Sequence, residues 1–274
     1  MSNKELPPVP ERLPAPVVDS HTHMDACGAV TAEDVRAMVD RAEAAGVTRV
    51  VTVADDLAAA RWAAEASTWD ERVFAAVAVH PTRTKDFGEA ERSEVERLAG
   101  QTRVVAVGET GLDYYWDYSP HDAQQEAFRW HIDLAKRLGK TLMIHDRDAH
   151  EDVLRILAEE GAPERVVFHC FSGDADFARR CLDAGHVLSF AGTVTFRNAR
   201  DLREAAVLAP AGQYLVETDA PFLTPHPFRG RPNEPYCTAY TVRHLAEVRG
   251  ESVETVADAV RQAAEHVFQL PSVT

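Results

Sequence analysis

Histidines recur in this chain just after short apolar runs. The first case is Val17-Val18-Asp19-Ser20-His21-Thr22-His23, where two imidazoles stand one residue apart. Side chains alternate along an extended strand, so His21 and His23 point one way and Thr22 the other. Neutral imidazole is a good ligand for divalent first-row metals, and a pair at a strand end suits such an ion. Taken alone, HxH fits two surface histidines in a loop equally well. The rest of the chain answers it. His80 is followed by Pro81, and His145 and His169 each close an apolar run. Five of the 12 histidines fall at such places.

Carboxylates sit there too. Glu109 lies in Gly108-Glu109-Thr110-Gly111, and Asp219 in Glu217-Thr218-Asp219-Ala220-Pro221. His21, His23, His145, His169, Glu109 and Asp219 can fill two incomplete coordination shells, with Glu109 spanning both through its two oxygens. Two cations roughly 3.5–4 Å apart clamp the attacking and leaving oxygens of a displacement and acidify the bridging water. Asp219 is the best placed base. Glu217, two residues earlier, points inward on the same strand and is read as orienting a ligand rather than binding the ion.

These residues need a frame that brings several strand ends together. β-branched runs occupy residues 17–21, 49–54, 73–80, 103–109, 141–145, 165–169, 186–190 and 213–219. Helical patterns lie between them. Val35, Met38, Val39 and Ala42 form one stripe, stopped by Gly46. Phe128, Ile132 and Ala135 form another, stopped by Gly139, and Phe177, Cys181 and Ala184 a third. Asp148 with Glu151 resembles a capping box for a helix bearing Val153, Ile156 and Leu157. Two last helices cover residues 238–249 and 252–270. Eight strands alternating with helices predict an α/β fold of the (β/α)8 TIM-barrel type, whose chemistry sits at the carboxyl ends of the strands. An open doubly wound sheet would call for a Gly-rich turn after the first strand, where Ser20-His21-Thr22-His23 stands instead. The expected layout is a Pro-rich arm, residues 1–16, and one barrel domain, residues 17–274.

The chain has 274 residues, is 45% hydrophobic and carries a net charge of −15, which argues against a broad basic face for nucleic acid. Its four cysteines show no metal-type or disulfide spacing. With no signal-type segment and no long apolar run, a monomeric cytoplasmic protein that meets no membrane and needs no protein partner is expected.

Read together, the motifs resemble the TatD-type metal-dependent deoxyribonucleases, a branch of the amidohydrolase-like barrels. The matching stretches are DSHTHMD (19–25), AVHP (78–81), GETGLDYYW (108–116), IHDRDAHED (144–152), FHCFSG (168–173), FAGTVTFRNA (190–199), ETDAPFLTP (217–225) and RPNEP (231–235). AVHP departs mildly, with Ala78 where members often have Gly. The resemblance implies His21, His23 and Asp219 on one metal, His145 and His169 on the other, and Glu109 between them. It implies a hydrolase that cuts DNA phosphodiester bonds from the 3′ end. The cofactor is expected to be two divalent ions. Four histidines favour zinc, while magnesium or manganese often serves phosphodiester cleavage.

Around this set, His80 is read as a contact to substrate phosphate or metal-bound water, or equally as packing. Arg147, two residues after His145, is read as a phosphate contact in preference to an ion pair with Asp219 or Glu217. The loop His226-Pro227-Phe228-Arg229-Gly230-Arg231 offers Arg229 and Arg231 to phosphates, because a guanidinium gives two parallel hydrogen bonds. Tyr114, Tyr115 and Trp116 can stack on bases, with loop packing expected for at least two of them. Cys170 is expected to face away from the barrel axis, buried and structural. Rivals keep the barrel but act on a carbon centre, as a D-aminoacyl-tRNA deacylase or an amide or lactone hydrolase. A further rival binds metal without turnover.

Overall fold

The computed structural model describes residues 5–272. Eight strands run in parallel and neighbour one another in chain order. They are β1 (Val17–Thr22), β2 (Val47–Val53), β3 (Val73–Val77), β4 (Val104–Asp113), β5 (Thr141–Arg147), β6 (Val166–Phe168), β7 (Val187–Phe190) and β8 (Tyr214–Val216). The ring closes between β1 and the end of β8. A parallel bridge joins Thr22 to Ala220. The Asp219 N–H donates to the His21 carbonyl at 2.9 Å, and the His23 N–H to the Ala220 carbonyl at 2.8 Å.

The helices form the outer layer: α1 (Ala32–Ala44), α2 (Leu57–Ala66), α3 (Glu89–Ala99), α4 (His121–Leu138), α5 (His150–Glu160), α6 (Ala175–Asp183), α7 (Arg200–Leu208), α8 (Thr238–Arg249) and α9 (Val253–Val267). The expected stripes are their buried faces. Val35, Met38, Val39 and Ala42 of α1 are buried, as are Phe128, Ile132 and Ala135 of α4. Inside the ring, Val18, Val51, Val53, Phe74, Met143, Val167 and Leu215 pack together, joined at the floor by Val267 at the end of α9 and by Phe268 and Leu270 after it. The barrel is thus filled below and polar above, as its layered interior requires.

Some boundaries differ from those read in the sequence. β3, β6 and β8 stop short, so His80, His169 and Glu217 stand just past their strands. β4 runs on to Asp113, beyond a register shift between Val107 and Thr110. The expected capping box at Asp148 is absent. Asp148 has φ 55, and α5 starts at His150 with no side-chain cap. An N-cap side chain works from extended backbone, which Asp148 lacks.

The arm's described residues lie against the body. Tyr236 donates to the Pro7 carbonyl at 2.5 Å and Tyr240 to that of Pro8 at 2.8 Å. The Leu13 N–H donates to the Ala45 carbonyl at 3.0 Å. Residues 1–4 lie outside the described residues. No helix among the described residues is long and apolar enough to cross a membrane.

Candidate metal centre

The upper end of β1 presents His21 and His23 on one side, their Nε2 atoms 3.2 Å apart. Strand alternation puts them there. Asp219 meets them from past β8, its Oδ1 3.6 Å from His21 Nε2 and 3.5 Å from His23 Nε2. Glu109 Oε2 adds a fourth atom, 3.5 Å from His21 Nε2 and 3.9 Å from His23 Nε2. A tetrahedral shell with bonds of about 2.0 Å has edges of about 3.3 Å. The space among these four atoms therefore fits a divalent ion.

Glu109 reaches the middle because two glycines let β4 press against β5. A Cβ on Gly108 would lie 2.5 Å from Met143 Cβ. One on Gly111, where φ is +136°, would lie 2.1 Å from the His145 carbonyl oxygen. The other oxygen of Glu109 faces a second group. Oε1 is 2.6 Å from His145 Nδ1, 2.7 Å from His169 Nε2 and 3.4 Å from His80 Nε2.

Each of the four imidazoles has its outer nitrogen engaged, leaving the inner one for the centre. His21 Nδ1 meets Met143 Sδ at 3.2 Å, and His23 Nδ1 donates to the Val53 carbonyl at 2.9 Å. His145 Nε2 donates to Asp113 Oδ2 at 2.9 Å, and His169 Nδ1 to Glu217 Oε1 at 3.2 Å. Outer acceptors of this kind fix ring orientation and tautomer at metal sites. Glu217 Oε2 is buried with no hydrogen-bond partner among the described residues. The donor set and this orphaned oxygen both fit a cation.

The electrostatics agree. Burial disfavours charge on Glu109, yet His169, His80 and His145 hold its carboxyl well below the usual range. Burial likewise opposes a charged His23, and the Asp219 and Glu109 carboxylates overcome it, lifting the pKa to about 9. Burial and the neighbouring His169 push His21 down. Such an uneven set is what crowded carboxylates and imidazoles produce where a cation's charge is missing. A ligand histidine must be neutral, so binding an ion would expel the His23 proton.

Three residues matter more here than their sequence surroundings suggest. Asp19 is buried and accepts from the Thr218 N–H at 2.8 Å and its hydroxyl at 2.6 Å, fixing the backbone beside Asp219. Asp113 supports His145. His80, expected as a substrate or water contact or as packing, closes on Glu109; its backbone N–H is tied to the Asp55 carbonyl and its ring caps the tight turn Pro81–Asp86. The signals were present as an acidic residue before HxH, an Asp closing GETGLD, and a His before Pro.

Cys170 is less buried than expected. It is half-buried with φ 42. Burial raises its thiol pKa, and Asp219, Glu217 and Glu109 add to the effect. Its N–H donates to Glu217 Oε1 at 2.8 Å. Asp219 also has a positive φ, of 51°. Non-glycine residues held so are strained and gather at functional sites.

Arg147 is exposed and lies over the Tyr115 ring, 3.8 Å from its centroid. Arg229 lies over Phe196 at 4.4 Å and Arg231 over Phe228 at 5.4 Å. None of the three forms an ion pair with a described carboxylate. Tyr114 packs, stacked on His121 and bonded to Asp152. Tyr115 and Trp116 stand exposed, against the expectation that two of these rings pack.

The family profile described as "TatD related DNase" matches residues 18–269. The chain belongs to the TatD family. The "uncharacterized metal-dependent hydrolase TatD" of Mycobacterium tuberculosis is 61% identical over 247 residues, covering 88% of this chain and 93% of its own. The "3'-5' ssDNA/RNA exonuclease TatD" of Pantoea vagans is 34% identical, covering 87% of this chain and 95% of its own. A crystal structure of a TatD homologue from Escherichia coli K12 superposes with TM-score 0.87 at 28% identity, over 93% of this chain and 98% of that one. This TatD-family barrel is thus a metal-dependent hydrolase, and its His, Glu and Asp clusters lie at the barrel mouth.

Proposed function

We propose that this chain is a two-metal phosphodiesterase that shortens DNA from its 3′ end. The observation that carries this is Glu109, with one oxygen turned to His21 and His23 and the other to His145 and His169. In this reading His21, His23 and Asp219 would hold one ion and His145 and His169 the other, with Glu109 available to both. Zinc suits four imidazoles best. The two ions would supply an acidified water and neutralise charge on the phosphoryl group. Asp219 takes the water's proton; its side chain is 15% exposed against 5% for Glu109, so it is the carboxylate open to the mouth. Glu217 and Asp113 hold His169 and His145 in the ligating tautomer. His80 stands beside Glu109 to touch the scissile phosphate. Arg147, Arg229 and Arg231 receive neighbouring phosphates, which their lack of ion pairs with described carboxylates supports. The name of the Pantoea relative is in keeping with this.

The test is direct. Metal-loaded protein is incubated with 3′- and 5′-labelled DNA, with RNA and with a D-aminoacyl-tRNA, beside elemental analysis of bound metal. We expect stepwise loss from the DNA 3′ end, an intact aminoacyl ester, and two ions per chain falling to one when His145 and His169 are replaced. Deacylation without DNA cleavage would move the reaction to carbon. Bound metal with no turnover on any substrate would leave a binding protein.

A further inference from the structure

Large apolar side chains are exposed at few places among the described residues. Those that carry rings are Tyr115 at 55%, Trp116 at 40%, Tyr118 at 61% and Phe222 at 58%. All four lie in loops at the barrel mouth, after β4 and after β8. Exposed rings gathered around a polar cleft mark a binding surface.

Their arrangement is ordered. Trp116 and Tyr118 stack with centroids 5.3 Å apart and planes 8° from parallel. Tyr115 meets Trp116 edge-on at 4.8 Å. The Arg147 guanidinium lies over Tyr115 at 3.8 Å and 5.9 Å from the Trp116 centroid. The group is tied to the centre by one buried carboxylate. Asp113 Oδ1 accepts from the N–H groups of Tyr115 and Trp116 at 3.1 and 3.0 Å, and its Oδ2 accepts from His145. Gln124 clamps the same backbone, accepting from the Asp113 N–H at 2.8 Å and donating to its carbonyl at 3.0 Å. The distance from the rings to His145 is therefore set by the fold. Phe222 stands across the mouth, 6.4 Å from the His23 ring.

We propose that Tyr115, Trp116 and Tyr118 form a stacking platform for unpaired bases flanking the scissile phosphate, with Arg147 joining ring and phosphate. This rests on the function proposed above. Every base has a flat π face, so such a platform grips any sequence, and a guanidinium adds cation–π attraction. Bases stacked inside a duplex cannot use it. It also answers how a chain of net charge −15 holds a polyanion without a basic face.

The test compares strands that differ only in bases. Metal-loaded protein is titrated with a phosphorothioate single strand of about eight thymidylates and with an abasic strand of equal length and charge. We expect the base-bearing strand to bind at least about tenfold more tightly and to quench tryptophan fluorescence. Replacing Trp116→Ala and Tyr118→Ala together should bring the two affinities to within about twofold while leaving abasic binding as it was. Trp116→Phe should keep the preference and lose the quench. Arg229→Ala should weaken both strands alike. Equal affinity for the two strands in the wild type, or a preference that survives the double substitution, overturns the platform while DNA cleavage by the wild type stands. Absence of cleavage and of binding to either strand removes the proposed function and the platform with it.

Discussion

Glu109 works through having two equivalent oxygens. Each faces a different set of imidazoles. Glu109→Gln keeps the shape and turns one acceptor into a donor, which then points its hydrogens at a ring nitrogen or a cation. A loss of at least about a hundredfold in turnover is expected, equivalent to about 3 kcal/mol of transition-state stabilisation. Turnover on labelled DNA is measured beside metal content. Near-normal rates with full occupancy would show that the shared oxygens are dispensable. Asp113 acts at the same scale, with one oxygen on His145 and the other on the aromatic loop.

At the scale of elements, β4 is the strand on which the site depends, and Gly111 shows why. Its φ of +136° and the 2.1 Å approach of the His145 carbonyl leave no room for a methyl group. Gly111→Ala should cost about 3 kcal/mol or more, from overpacking and left-handed strain combined. Gly139 ends α4 at φ +62 with open space around it, so Gly139→Ala should cost about 1 kcal/mol. Urea midpoints of the two variants check the contrast; equal shifts would mean that β4 gives way at Gly111. The same strand marks the limit of what the sequence discloses. β-branched runs and stop glycines were enough to find eight strands and their order, because each run is buried on both faces. The period of two breaks where the register shifts after Val107, so the β-branched run ends at Glu109 and Asp113 was given no role. Asp148 read as a cap because capping residues are recognised by type, while its backbone conformation is set by the chain around it. Ligand candidates were legible because histidines at strand ends are rare by chance. Cys170 was harder, since alternation fails once a strand gives way to a turn.

For the whole molecule, pH acts through buried histidines. His131 of α4 is fully buried, stacked on Phe87 at 5.0 Å. Its Nδ1–H donates to the Ala127 carbonyl at 2.7 Å, and its Nε2 accepts from the Val79 N–H at 3.4 Å. Protonation would set two donors face to face. Burial pushes its pKa down to about 3. In the unfolded chain the value is about 6.5, so acid favours unfolding. The stabilisation is whole above about 6.5 and declines as pH falls from there towards 3, by about 2 kcal/mol between pH 7 and 5. His131→Gln should flatten that decline, read from urea melts at the two pH values. Parallel declines in variant and wild type would assign the acid sensitivity elsewhere.

The seam between β1 and the end of β8 joins the two strands farthest apart along the chain. His21 and His23 stand on one side of it and Asp219 on the other. During synthesis the histidines emerge early, while their carboxylate partner follows nearly two hundred residues later. A chain still on the ribosome, or one cut short before β8, holds fragments of a centre whose parts have not met. Hydrolytic competence thus arrives with the closing of the ring.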